Sequence, residues 1–286
     1  MEKRGFSSRI GFMVSMAAFS IGIGNMWKFP YVVGNSGGGA FLIVYLALAL
    51  LFGVPCFMIE LTLGRSAKTA SPIIGMRKLA GKKKTPWSAI GVLGIIGIFC
   101  ICSFAHTIVG GWTGGYIVKT FSGFMYGMDS AGFGAEFGAF CGSNISLIGN
   151  VVSCILLWLC LSAGVKVGVE KVCKVLLPAM LVIMVVLAVY SNTLPGASEG
   201  LIWYLKPDFS MITLDVIAAA GMQICFSVGI GMLCAFVYGS YMSEDTNLPS
   251  AALTTVILDT IIAVLSGLLI IPALFAFGIA PAAGPS

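Results

Sequence analysis

The sequence predicts an all-α integral membrane protein, a single bundle of membrane-crossing helices in which two helices are interrupted. Three observations carry that prediction. Of the 286 residues, 58% are hydrophobic and only 9% charged, which excludes a soluble core. Seven stretches of roughly 18 or more apolar residues can be drawn: 10–33, 40–63, 88–121, 147–165, 172–190, 211–242 and 253–277. The third observation is an internal match. Phe19-Ser20-Ile21-Gly22-Ile23-Gly24 in the first stretch returns as Phe226-Ser227-Val228-Gly229-Ile230-Gly231 in the sixth.

The first stretch follows a basic amino terminus, and its length and lack of a small-residue cleavage site argue against a signal peptide. Its glycine pair invites a break, because glycine costs a helix interior about 1 kcal/mol relative to alanine. In lipid, freed backbone is tolerated only where protein or a hydrated cavity satisfies it. Paired breaks in two halves of a membrane protein point to a transporter binding site, although small residues are also common in packed membrane helices. The second stretch carries Pro55 and Glu60. The third and sixth exceed one bilayer width, so tilt, kinking or projection is expected. The connection 122–146 is glycine-rich, with Asp129 and Glu136, and reads as a partly ordered loop. The seventh stretch contains Asp259. A mid-membrane carboxylate costs roughly 2.5–3.5 kcal/mol on insertion scales, so Asp259 needs a partner.

Charge sets the orientation. Lys3, Arg4 and Arg9 precede the first stretch. Arg65, Lys68, Arg77, Lys78, Lys82, Lys83 and Lys84 follow the second, and Lys166, Lys171 and Lys174 follow the fourth. These are thirteen of the sixteen basic residues, and they share one side, which the positive-inside rule makes cytoplasmic. The net charge of +5 is therefore a topology signal, and no nucleic-acid partner is expected. Nine cysteines, mostly within the stretches, fit free packable side chains better than disulfides or a metal cluster.

Around the first break the chain reads Gly22-Ile23-Gly24-Asn25-Met26-Trp27-Lys28-Phe29-Pro30-Tyr31, followed by Asn35-Ser36-Gly37-Gly38-Gly39-Ala40-Phe41. Pro55, Glu60, Gly64-Arg65 and Gly111-Trp112-Thr113 come further on. This pattern resembles the neurotransmitter:sodium symporter family, which includes the bacterial leucine transporter. The resemblance implies a leucine-transporter-like inverted-repeat bundle and sodium-coupled symport of an amino acid by alternating access across the plasma membrane. Typical members have eleven or twelve spans. On that scheme 10–190 is the first five-helix repeat and 211–286 an incomplete second one, truncated after the seventh helix. A rival expectation is a fragment of such a symporter that does not transport by itself. A seven-helix receptor would start outside the cell, and no nucleophile–base arrangement suggests an enzyme.

The resemblance also implies roles for residues. One sodium ion would take the carbonyl of Ser20, the side chain of Asn25, the carbonyl and hydroxyl of Ser227, and Asp259. The carbonyls of Ala18 and Ile21 would supply half of a second sodium site. Sodium here is cargo, not a prosthetic group. Where the family often has Asn at position 259 together with chloride or a second acid, this chain has Asp259 and, one turn on, Ala263; Asp259 is therefore expected to remove the need for chloride. Gly22 stands where amine transporters place Asp, leaving room for a substrate that carries its own carboxylate.

Gly24, Gly229, Ile230 and Gly231 complete the expected substrate contacts at the breaks. Phe226, Met232 and Cys102 would wall a pocket for a bulky apolar or aromatic amino acid, although each serves equally as ordinary packing. His106, the only histidine, replaces a tyrosine that binds the substrate carboxylate, and an imidazole N–H can still donate. Lys28 takes the outer-gate position, with Lys3, Phe6 and Tyr241 at the inner gate. Glu60 is expected beside the sixth-stretch break, accepting from freed N–H groups. The expected surroundings are a lipid bilayer, in a prokaryotic inner membrane; a homodimer is left open.

Overall fold

The computed structural model describes residues 9–104, 108–124, 127–128 and 130–282. Among the described residues every regular element is helical. In order these are α1 (Arg9–Ser20), α2 (Phe29–Asn35), α3 (Gly39–Leu48), α4 (Val54–Ala67), α5 (Pro72–Leu79), α6 (Ser88–Phe104) and α7 (Gly110–Phe121). They continue as α8 (Ser130–Cys141), α9 (Asn144–Ser162), α10 (Lys171–Asn192), α11 (Ala197–Leu205), α12 (Leu214–Val228), α13 (Cys234–Ser240) and α14 (Leu248–Ala276). Wide π-type turns over Gly24–Lys28 and Ala49–Gly53 join α1 to α2 and α3 to α4. Four continuous helical runs, Gly39–Ala67, Asn144–Ser162, Val167–Asn192 and Leu248–Ala276, are long and apolar enough to cross a membrane. The first and sixth stretches fall short of that length because each is divided: α1 from α2, and α12 from α13.

Local chemistry explains many of the ends. Asn247 accepts from the Ser250 N–H at 2.9 Å to start α14, Thr213 accepts from Val216 N–H at 3.3 Å to start α12, and Ser143 does the same for α9. Each cap satisfies one orphan donor of a helix start. The connection expected as a partly ordered loop contains α8, and the short helices α5 and α11 lie in the connections after the second and fifth stretches. All three are too short to register as spans.

The chain forms two compact units, 1–94 with 170–286, and 95–169. In the smaller unit α7 packs on α9, Tyr116 meets Phe140 edge-on at 4.9 Å, and Lys119 pairs with Glu136 between the rings of Phe124 and Phe140. In the larger unit α14 is the central strut, touching α1, α2, α4, α10 and α11. An aromatic group of Phe29, Phe41 and Tyr45, all fully buried, sits in its core with centroids 4.9–5.9 Å apart. At one end of this unit Lys68 bonds Glu244 at 2.6 Å and holds that carboxyl below its ordinary range. Both side chains are exposed, so the pair adds little stability.

Pro272 lies inside α14 and cannot donate to the Leu268 carbonyl, four residues back. The end of α10 supplies the missing donors: Asn192 Nδ2 bonds the Leu268 carbonyl at 2.9 Å, and Ser191 Oγ bonds that of Leu269 at 2.7 Å. The backbone around Pro272 is thus tied to a neighbour. Asn192→Ala should lower stability by about 1 kcal/mol, the cost of a partly buried carbonyl losing its partner. Thermal unfolding in detergent would show this; an unchanged midpoint would mean that water serves the carbonyl as well.

Candidate functional site

The first break begins where α1 runs out. Ile21 N–H makes a last helical bond to Ala17 at 3.1 Å, and the backbone then turns at Ile21 and Gly22. Gly22 N–H donates to Asn25 Oδ1 at 3.0 Å, so the Asn25 side chain caps the freed backbone and its amide orientation is set by that bond. A Cβ at Gly22 would meet nothing within 4 Å, whereas one at Gly24 would sit 3.2 Å from Ser227 Cα and 3.3 Å from the Phe226 ring. Glycine at position 24 lets the two breaks approach closely, and a larger residue would press on the Ser227 backbone and the Phe226 ring.

The second break follows Val228. Gly229 takes φ +76°, and its N–H and that of Ile230 both return to the Cys225 carbonyl, closing α12 in a left-handed cap. Gly231 (φ +86°) and Leu233 (φ +58°) continue the left-handed turns before α13 starts. Gly231 N–H, freed by this path, donates to buried Glu60 Oε1 at 2.6 Å, as the sequence leads one to expect of Glu60.

Both breaks close on Asp259 of α14, which is fully buried. Asn25 Nδ2 donates to Asp259 Oδ1 and to its carbonyl, each at 2.9 Å. Ser227 Oγ lies 3.0 and 2.9 Å from the two carboxylate oxygens. Asn25, Ser20 and Ser227 are buried as well, and the Ser20 hydroxyl is turned back to the Ala17 carbonyl at 2.9 Å. Ile21 is buried and Ala18 half-buried beside them. Carboxylate, hydroxyl, amide and carbonyl oxygens are the donors a hard cation takes, and a carboxylate adds the opposing charge. These are the donor types an alkali cation takes; in this structure Asn25 turns its Nδ2 to Asp259 and its oxygen to Gly22 N–H, and Ser227 donates to the carboxylate.

An open cavity of about 590 Å³ is lined by Lys28, Phe52, Met222, Phe226, Ile230 and Met232. Lys28 Nζ stands 4.1 Å from the centroid of the Phe226 ring, a cation–π contact. Phe226, Ile230, Met232 and Lys28, separate expectations from sequence, are thus gathered at one cavity. Tyr241 caps the end of α13. Cys102 belongs to α6 within the smaller unit. His106, Lys3 and Phe6 lie outside the described residues.

Three residues that the sequence reading passed over hold the breaks in place. Gln223 Nε2 donates to the Gly24 carbonyl at 2.8 Å, Ser266 Oγ to the Asn25 carbonyl at 2.5 Å, and Tyr238 OH to the Ser15 carbonyl at 3.2 Å. Helical periodicity could have flagged Ser266, which lies two turns from Asp259 on the same face.

Two interrupted helices meeting at one buried carboxylate define a secondary-transporter bundle, with its site where the half-helices converge. Residues 3–127 and 140–279 match the family model described as the Sodium:neurotransmitter symporter family. The chain belongs to that family, as a multi-pass membrane protein with the leucine-transporter fold. It is 35% identical over 282 residues to the sodium-dependent transporter YhdH of Bacillus subtilis, covering 98% of this chain and 62% of that one. The crystal structure of MhsT in complex with L-phenylalanine superposes with a TM-score of 0.90 at 37% identity, over 99% of this chain and 64% of that one. A more distant relative, the sodium- and chloride-dependent creatine transporter 1 of Homo sapiens, is 28% identical over 292 residues, 85% of this chain and 44% of that one. The chain thus spans somewhat under two thirds of the length of YhdH and of MhsT.

Proposed function

We propose that the whole protein imports a neutral, bulky hydrophobic or aromatic amino acid with sodium, by alternating access and without chloride. The observation that carries this reading is the meeting of Asn25, Ser227 and Asp259 where the two breaks cross. Sodium would be held by Asp259, the Asn25 amide oxygen, the Ser227 hydroxyl and carbonyl, and the Ser20 carbonyl. The carbonyls of Ala18 and Ile21 would belong to a second sodium site. The substrate carboxylate would lie in the open space at Gly22, against the positive ends of the half-helices. Its side chain would enter the cavity walled by Phe226, Ile230 and Met232, with Lys28 at the mouth.

A bound L-phenylalanine in MhsT supports an aromatic substrate, and the name of YhdH supports sodium. On this reading 10–190 is one repeat, the amino terminus is cytoplasmic, and the protein resides in a prokaryotic inner membrane. Chloride independence rests on Asp259 carrying its own charge, in contrast to the creatine relative named as chloride-dependent. Uptake of labelled phenylalanine by the full-length gene product should vanish in choline medium and persist when gluconate replaces chloride. Strict chloride dependence would overturn the role given to Asp259.

A further inference from the structure

Asn25 is gripped twice by the same helix. Asp259 takes its side chain, and Ser266, seven residues on, takes its main-chain carbonyl at 2.5 Å. Seven residues are close to two α-helical turns, so both grips come from one face of α14. The second grip answers a need created by the sequence. In the wide turn Gly24–Lys28 the Phe29 N–H goes to the Gly24 carbonyl. The next residue, Pro30, has no N–H. The Asn25 carbonyl is fully buried; Phe29 N–H is directed to Gly24 and Pro30 has none to give, and Ser266 Oγ donates to it.

The Ser266 hydroxyl has one proton and two acceptors within reach, the Asn25 carbonyl at 2.5 Å and its own helix's Ala263 carbonyl at 2.7 Å. Ser266 is itself 1% exposed. When its proton turns to Ala263 the hydroxyl stays bonded, so releasing Asn25 leaves no unpaired donor on α14.

We propose that Ser266 is a positioning residue for the cation site, a reversible clamp that holds the Asn25 carbonyl while the site is formed and lets it go when the site opens. This rests on the reading of Asn25 and Asp259 as cation ligands. Ser266 touches neither cation nor substrate; it sets where Asn25 stands and so where its amide oxygen can reach.

The test is the sodium dependence of labelled amino-acid uptake by the full-length gene product. Ser266→Ala should raise the sodium concentration for half-maximal uptake about tenfold, the equivalent of losing one hydrogen bond to a buried carbonyl. The amino-acid KM at saturating sodium should barely move, and Ser266→Thr, which keeps the hydroxyl, should restore sodium affinity. A second arm removes the cause. Pro30→Ala supplies a backbone N–H toward the Asn25 carbonyl, so Ser266→Ala combined with Pro30→Ala should bind sodium better than Ser266→Ala alone. Unchanged sodium affinity in Ser266→Ala overturns the proposal, as does a loss that neither Thr nor Pro30→Ala repairs, since that pattern marks simple packing. If Ser266→Ala does not fold, the comparison of Ser266→Thr and Pro30→Ala with the parent decides: a lower sodium affinity in the Thr variant, with none regained on adding Pro30→Ala, overturns it. Failure of the underlying site reading is separate: uptake in Asn25→Ala and Asp259→Ala variants would then keep its sodium dependence.

Discussion

Replacing Asp259 with Ala is expected to abolish sodium-driven uptake, with a loss of at least about a hundredfold. The carboxylate accepts from both Asn25 Nδ2 and Ser227 Oγ, so its removal strands two buried donors and takes away the negative charge at the crossing of the breaks. Breaking a buried, hydrogen-bonded charge constellation typically costs about 3–5 kcal/mol, which is ample for that loss. Asp259→Asn separates charge from coordination. It keeps an oxygen for the cation and a partner for Ser227, but not the charge, so residual uptake should rise when chloride is supplied. Sodium titrations of uptake, with and without chloride, check both variants. Sodium dependence retained in Asp259→Ala would remove Asp259 from the cation site.

Gly229→Ser is expected to have the second largest effect. A side chain at φ +76° costs about 1–2 kcal/mol in backbone strain. Its Cβ would also lie 3.0 and 3.1 Å from the Phe19 ring, so that ring must yield. Phe19 in turn packs against Tyr238 with ring centroids 5.7 Å apart, and Tyr238 holds the Ser15 carbonyl. The strain falls between Phe226 on one side and Ile230 and Met232 on the other, all of which line the cavity. Uptake of phenylalanine or tryptophan should therefore fall further than uptake of alanine. A change of one methylene-sized group in such a pocket is worth roughly 10–200-fold. Competition assays across a size series check the expectation. Equal loss for every substrate would mean that Gly229 serves only the contact between the breaks.

Phe19 and Gly229 show how far the sequence reaches. They occupy the first and fourth positions of the two copies of the repeated hexapeptide, and the repeat alone located both breaks. That they pack on each other is a contact between positions 210 residues apart, which no local pattern encodes. The roles of Gln223 and Ser266 are hidden in the sequence for a related reason. A lone Gln or Ser in an apolar span reads as small-residue packing until the carbonyl it serves is seen beside it.

The membrane class, the two interruptions and the residues that stand around them are legible in the chain alone. Apolar length, glycine placement and buried charge act locally and have few physical solutions in lipid. Packing sets what those residues do to one another. It turned Asn25 amide-first toward Asp259, seated Gly24 against Ser227, and gave the Asn25 carbonyl to Ser266. It also gave Asn192 to the Leu268 carbonyl that Pro272 cannot serve. Each of these is a buried polar group choosing among distant partners, and the choice is made by which helices are packed within about 3 Å of it.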